Sequence, residues 1–336
     1  MKITRLFSLL CLVLAACNLP SKTDCARPDV FCVGLVTAYG QVDDHGLNQS
    51  AWEGVQRALN DRLINQADVI ETVDARDRAK NIAVFADAGY DLIVTVGFSI
   101  GGDTRLAADH WPATRFIGVD QPQTDPRPNL TGLVFPEDQG GFLAGALAAQ
   151  VTQTQKVAAV CEEETIPEIW RYCEGFRAGV RYISATMQPR VIYHPSHNPD
   201  DWFNDAAWGQ EQAASVANYG ADILFAAGGS TALGALQAAA ASGIYVIGAD
   251  EDMFYQVDAS DFVLSSTVKQ AGAGVYELTR QAKTGSIPGG DYVGEFALGP
   301  YHSLGRLVLP TVRERLAFIQ RGLADGSIQT GIPPKP

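Results

Sequence analysis

The 336-residue sequence has little that would carry it across a membrane and little that would hold it on a polyanion. Apart from one short apolar run near its start, no stretch approaches the roughly 20 apolar residues that a bilayer-spanning helix requires. Lysine and arginine together number 25 against 38 aspartates and glutamates, a formal net charge of −13. That balance argues against the Lys/Arg-rich surfaces that nucleic acid or an anionic lipid face selects, so no nucleic-acid partner is expected. Cysteine is sparse, six residues in all, and neither a Cys-X-X-Cys motif nor a Cys/His spacing typical of zinc occurs. No metal and no cofactor is implied. Short-period repeats are absent. With 46% hydrophobic and 19% charged residues, the composition is that of a globular chain with one large or two medium cores.

What is present begins with a leader. Lys2 and Arg5 precede an apolar segment, 6–16, that is too short to span a bilayer, and Leu14-Ala15-Ala16-Cys17 looks like a bacterial lipoprotein processing box. The expected arrangement is a signal peptide over 1–16, lipidation of Cys17 and a tether over 17–29. The mature chain would then meet a membrane through its lipid anchor only. With Cys11 in the leader and Cys17 on the anchor, Cys25, Cys32, Cys161 and Cys173 remain as disulfide candidates. The local pairings join 25 to 32 and 161 to 173, two bonds within one of the three connectivities that four cysteines allow.

Beyond residue 30, Val- and Ile-rich runs alternate with segments of helical periodicity. Candidate strands lie at 31–37, 68–73, 91–96, 114–119 and 130–135, then at 156–161, 190–193, 222–226, 244–248 and 262–266. Such alternation predicts parallel sheets covered by helices on both faces, an α/β fold. Ten strands suit two doubly wound lobes joined by a hinge better than one sheet. The expected division is 30–135 plus 262–290 for the N-terminal lobe and 136–261 plus 291–330 for the C-terminal lobe.

The most informative loop is 40–54, which follows the first strand. Ser50-Ala51-Trp52-Glu53 matches a capping box, which predicts a helix starting at Ser50 and leaves Asp43, Asp44 and Asn48 in the loop. In parallel α/β sheets, ligands bind at the carboxyl ends of the strands. Similar residues follow other strands: Phe98, Asp120, Phe203, Gly228 and Asp250. Paired carboxylates suit hydroxyl or amine donors and repel phosphate, whereas aromatics at the same rim suit a flat ring. A polyol joined to a flat ring is a nucleoside. Trp52 lies on an apolar helical stripe with Val55, Leu59 and Leu63, a pattern that fits core packing as well as ring stacking. One catalytic signature competes. Gly97-Phe98-Ser99-Ile100-Gly101 has the form of a nucleophile elbow, and Asp250 and His302 follow in the order of an esterase triad, although no oxyanion segment accompanies them. Asp43-Asp44-His45 lacks the spaced partners of a metal site.

Taken together, the blocks Val33-Gly34-Leu35-Val36-Thr37, Asp43-Asp44, Asn48-Gln49-Ser50-Ala51-Trp52-Glu53-Gly54, Phe116-Ile117-Gly118-Val119-Asp120, Glu174-Gly175-Phe176-Arg177-Ala178-Gly179, Phe203-Asn204-Asp205 and Ile247-Gly248-Ala249-Asp250 make the chain similar to the basic membrane protein (BMP) family of PnrA-like substrate-binding lipoproteins. The resemblance covers nearly the whole mature chain. It implies a type I periplasmic-binding-protein fold whose lobes close on a small-molecule ligand, and delivery of a nucleoside to the permease and ATPase subunits of an ABC importer. It implies an extracytoplasmic, lipid-anchored protein at the cell membrane, and no enzyme. By position, Asp43 or Asp44, Asn48, Asp120, Asp250 and Lys269 would contact the ligand, with aromatics near Trp52 and Phe203 stacking the base. Leu47 departs from the aromatic that usually precedes the Asn, and His45-Gly46 is also unusual. A ligand sensor without transport and an esterase using Ser99 are the alternatives.

Overall fold

The computed structural model describes residues 25–196, 202–285 and 287–335. Within them the chain forms two six-stranded sheets. The first holds β1 (Cys32–Thr37), β2 (Gln66–Ile70), β3 (Leu92–Val96), β4 (Arg115–Val119), β5 (Leu130–Val134) and the late strand β11 (Gly290–Val293), in the order β11-β5-β4-β3-β1-β2. The second holds β6 (Val157–Cys161), β7 (Arg190–Tyr193), β8 (Ile223–Ala227), β9 (Tyr245–Asp250), β10 (Val263–Lys269) and β12 (Phe296–Leu298), in the order β12-β10-β9-β8-β6-β7. Counted from β1 and β6 the two orders are identical, so the lobes are counterparts. They differ at the last strand, where β11 runs parallel to β5 and β12 antiparallel to β10.

The central strands carry apolar residues on both faces. Val33, Leu35 and Val36 of β1 and all of β6 are buried, as parallel strands must be when helices cover each side of the sheet. The covering helices are α1 (Leu47–Asn60), α2 (Arg78–Asp87), α3 (Gly101–His110), α4 (Glu137–Val151), α5 (Pro167–Ile183), α6 (Ala206–Tyr219), α7 (Gly229–Ala241), α8 (Ala271–Lys283) and α9 (Pro310–Ala324). Disulfides join Cys25 to Cys32 and Cys161 to Cys173, the two local pairings. Among the described residues no helix is long and apolar enough to cross a membrane. The leader, Cys17 and the start of the tether lie outside the described residues.

Three crossings connect the lobes, at residues 135–136, 270 and 294–295, and they lie side by side. The Gln270 N–H donates to the Glu295 carbonyl at 2.9 Å, and the Gly294 N–H to the Val134 carbonyl at 2.8 Å. These bonds make the hinge a small ribbon of its own. One strand sits in the other lobe from the one expected. β10 pairs parallel with β9, Val263 beside Val246 and Val268 beside Asp250, so residues 262–269 belong to the second sheet. The helix after it, α8, does return to the first lobe with β11, and there the Gly272 N–H donates to Ser50 Oγ at 3.0 Å and Tyr276 donates its hydroxyl proton to Asp61 at 2.8 Å. A strand buried on both faces can extend either sheet, so its apolar pattern does not select one. β11 and β12, of four and three residues, are too short to read as strands.

Candidate functional site

The loop after β1 is built by its own side chains. Helix α1 begins at Leu47, earlier than the capping box predicts, and Ser50 lies in its first turn facing α8. Asp44 does the capping. Its carboxylate accepts the N–H groups of Gly46 (2.8 Å), Gln49 (3.0 Å) and Asn48 (3.3 Å), donors that a helix start otherwise leaves unpaired. Asn48 turns its amide back to the Tyr39 and Gln41 carbonyls at 3.2 and 3.1 Å. Both residues therefore shape the loop, while the exposed Asp43 keeps a carboxylate with no partner among the described residues. Trp52 is half-buried and packs against the core, so its helical stripe reports packing.

Where the two sheets meet, the ends of β4, β9 and β10 converge. Lys269 closes β10 with its ammonium 2.9 and 3.0 Å from the two oxygens of Asp120 and 3.0 Å from Asp250 Oδ1. Tyr172, from the middle of α5, donates its hydroxyl proton to the same Asp250 oxygen at 2.6 Å. Asp120 comes from the first lobe and the other three from the second, so one buried cation ties the lobes together. Burial alone would depress the Lys269 pKa, but Asp120, then Asp250 and Glu137, hold it above the ordinary lysine value. Burial pushes the Glu137 carboxyl up to about 7 against the opposing pull of Lys269 and Arg171. The second Asp250 oxygen is not used in these contacts, and 45% of the side chain is exposed. Asp120 and Asp250 sit at equivalent strand ends, and both have left-handed backbones, φ 63° and 70°. Such non-glycine residues cost about 1–3 kcal/mol each and cluster at functional sites.

Exposed aromatic residues follow several other strands. Phe98 after β3 is 74% exposed, and Phe203 before α6, with φ 66°, is 38% exposed. Tyr39 and Tyr255 are also exposed. Gly228, at the end of β8, has φ 128° and passes so close to Glu162 that a Cβ there would lie 2.4 Å from the Glu162 Cβ. On one flank the lobes touch. His45 stacks on Tyr255 with ring centroids 4.4 Å apart, and Glu251 presses on Gly46, where a Cβ would lie 1.7 Å from its Oε2. Burial, opposed by a bond from Gln256 and reinforced by Asp44 and Asp250, raises the Glu251 carboxyl to about 7. A cavity of about 290 Å³ opens beside this contact, lined by residues of both lobes including Gln49, Glu53, Asp250 and Lys269.

Residues missed in the sequence are instructive. Glu251 lies inside the run Asp250-Glu251-Asp252, and Glu162 follows β6 as Asp120 follows β4, so both carried the strand-end signal. Tyr172, one residue before a disulfide cysteine within a long helix, carried none. The esterase reading loses its geometry. Arg78 donates to the Ser99 hydroxyl at 2.8 Å, Asp250 is engaged by Lys269 and Tyr172, and His302 bonds Asp252 at 2.8 Å and stacks on Phe254. A guanidinium beside Ser99 offers no base to take its proton. No metal-binding group of His, Cys, Asp or Glu occurs among the described residues.

Two α/β lobes on a three-crossing hinge, with polar and aromatic strand ends facing one another, define a two-lobed ligand-binding protein of type I periplasmic-binding-protein architecture. Solved structures agree on the fold. An ABC transporter solute-binding protein from Conexibacter woesei DSM 14684 superposes with a TM-score of 0.72 at 23% identity over 91% of this chain and 99% of that one. One from Aeropyrum pernix K1 gives 0.65 at 19% identity over 89% and 92%. The chain belongs to the Bmp family of PnrA-like ABC transporter substrate-binding proteins, whose signature matches residues 31–294. Relatives include the ABC transporter nucleoside-binding protein BmpA of Lactococcus lactis subsp. cremoris (strain MG1363), 30% identical over 77% of each chain. Basic membrane protein A of Borreliella burgdorferi is 30% identical over 76% of this chain and 73% of its own.

Proposed function

We propose that the chain is the lipid-anchored, extracytoplasmic receptor of an ABC importer and binds a purine nucleoside, or a similarly neutral, hydroxyl-rich ligand, between its lobes. The observation that carries this reading is the pairing of accessible carboxylates with exposed aromatic rings at the strand ends. Asp43 and the open oxygen of Asp250 can accept ribose hydroxyls from opposite lobes, and Phe98 and Phe203 can take the faces of a base. Lys269 does not add a free positive charge, since two carboxylates already surround it. A phosphate or carboxylate ligand would therefore meet net negative potential. The relative from Lactococcus, named as nucleoside-binding, supports the same choice. Contacts made from both lobes favour the closed arrangement by their differential free energy, and a closed receptor is the form a permease can distinguish. Calorimetric titration with inosine, guanosine and adenosine tests the reading. Binding at micromolar or tighter affinity is expected for at least one, with strong weakening in Asp250→Ala. Silence with all three rejects a nucleoside ligand.

A further inference from the structure

Glu162 stands outside the ligand set described above, yet it is buried in the cleft wall of the second lobe. It follows β6 and is entirely inaccessible, and its neighbours are the ends of β7 and β8. Its Oε2 accepts the backbone N–H of Phe203 at 2.9 Å, while its Oε1 carries no hydrogen bond and lies 3.6 Å from His194 Nδ1. That nitrogen accepts the Ser196 N–H at 3.1 Å, and the other ring nitrogen faces Asp205 at 3.4 Å. Among the described residues the carboxylate thus makes one hydrogen bond, and it goes to Phe203, whose aromatic side chain is only partly buried. Phe203 needs holding, because its φ of 66° is unfavourable for a side chain of that size. Two further contacts grip it. Its carbonyl accepts the Ser230 N–H at 2.9 Å, and Gly229 lies beneath it, where a Cβ would come within 2.8 Å of the Phe203 Cβ.

We propose that Glu162 is a positioning residue that sets Phe203 as the stacking plate for the ring of the bound ligand, an inference that rests on the nucleoside reading above. A charged acceptor makes a stronger bond to a backbone N–H than a neutral one, and that bond holds the left-handed residue in one conformation. The ring then meets the ligand already oriented, so less conformational freedom is lost on binding. Glu162 acts through Phe203 and touches no ligand atom itself.

The test is a double-mutant cycle read by calorimetry with the nucleoside that binds wild type. Glu162→Ala is expected to weaken binding about tenfold, the scale of a lost base stack. In a Phe203→Ala background the same substitution should change affinity less than about twofold, since the group it positions is gone. Glu162→Gln keeps an oxygen that accepts the Phe203 N–H and should stay within about threefold of wild type. If Glu162→Ala does not fold, Glu162→Met, which fills the space without a matching acceptor, replaces it in the cycle. Wild-type affinity in the variant lacking the acceptor, or an equal loss in both backgrounds, overturns the proposal and leaves the nucleoside reading intact. Wild-type protein that binds no nucleoside overturns that reading first, and the positioning role with it.

Discussion

Replacing Lys269 by methionine removes the ammonium that Asp120 and Asp250 share and leaves the two carboxylates facing each other, with Tyr172 still bonded to Asp250. The side chain is only 6% exposed, so little water can replace the lost ammonium. Breaking a buried ion pair by deleting one partner costs about 3–5 kcal/mol. At about 2–4 °C per kcal/mol, the melting temperature should fall by roughly 6–20 °C at pH 7.5. The pH dependence separates this cause from simple loss of packing. In wild type the folded lysine has a raised pKa, so its contribution is fully present below the unfolded value of about 10.4 and is lost only as pH rises through the folded one. It is therefore constant between pH 5 and 9. In Lys269→Met the defect comes from carboxylate repulsion, so it should be smaller in acid than at pH 7.5, where the negative charge is greater. Adding Asp120→Asn should recover part of the loss at pH 7.5. The assay is thermal unfolding by circular dichroism at pH 7.5 and pH 4.5. A Lys269→Met protein within about 1 kcal/mol of wild type at pH 7.5, or one whose defect is the same at both pH values, refutes the reasoning.

Further outcomes follow from the same geometry. Glu251 has a folded pKa of about 7 against an ordinary value of 4.5, so the folded state keeps a proton that the unfolded state has lost, and stability falls as pH rises through that window. Glu251→Gln should flatten this fall by up to about 3 kcal/mol in urea melts at pH 5 and pH 8, leaving the same-signed slope of Glu137. Phe98→Ala removes a ring that is 74% exposed, so unfolding should shift by less than about 0.5 kcal/mol while nucleoside affinity drops, which denaturation and calorimetry on one preparation will show. Gly46→Ala places a methyl 1.7 Å from Glu251 Oε2, so it should weaken ligand binding and widen the molecule in small-angle scattering, with Glu251→Ala restoring both.

Much of the fold was legible because parallel strands and their helices announce themselves by period. The runs at 31–37 and 156–161 are apolar apart from Thr37 and Lys156 at their ends, and β1 and β6 lie within them. Register between elements was less legible. Nothing local in Val263–Lys269 says whether it extends the first sheet or the second, and the capping box at Ser50 was outcompeted by Asp44, whose carboxylate reaches three N–H groups at once. The site divided in the same way. Asp120, Asp250 and Lys269 come together, and strand-end position or family resemblance pointed to each. Asp44 and Asn48 carried the same signal, and in the structure both side chains bond the backbone of their own loop. Tyr172 was invisible because its importance comes from the packing of α5, which brings a mid-helix hydroxyl beneath Asp250.

The hinge ribbon has a mechanical meaning. Two bodies joined by a single strand can swivel in any direction, whereas three crossings bonded edge to edge leave a single axis of rotation. Lys269 ends β10 one residue before the crossing at 270, so the group that contacts both lobes sits beside the pivot itself. Whatever occupies the cleft is therefore translated into one angle, and a partner that contacts both lobes needs to measure nothing else.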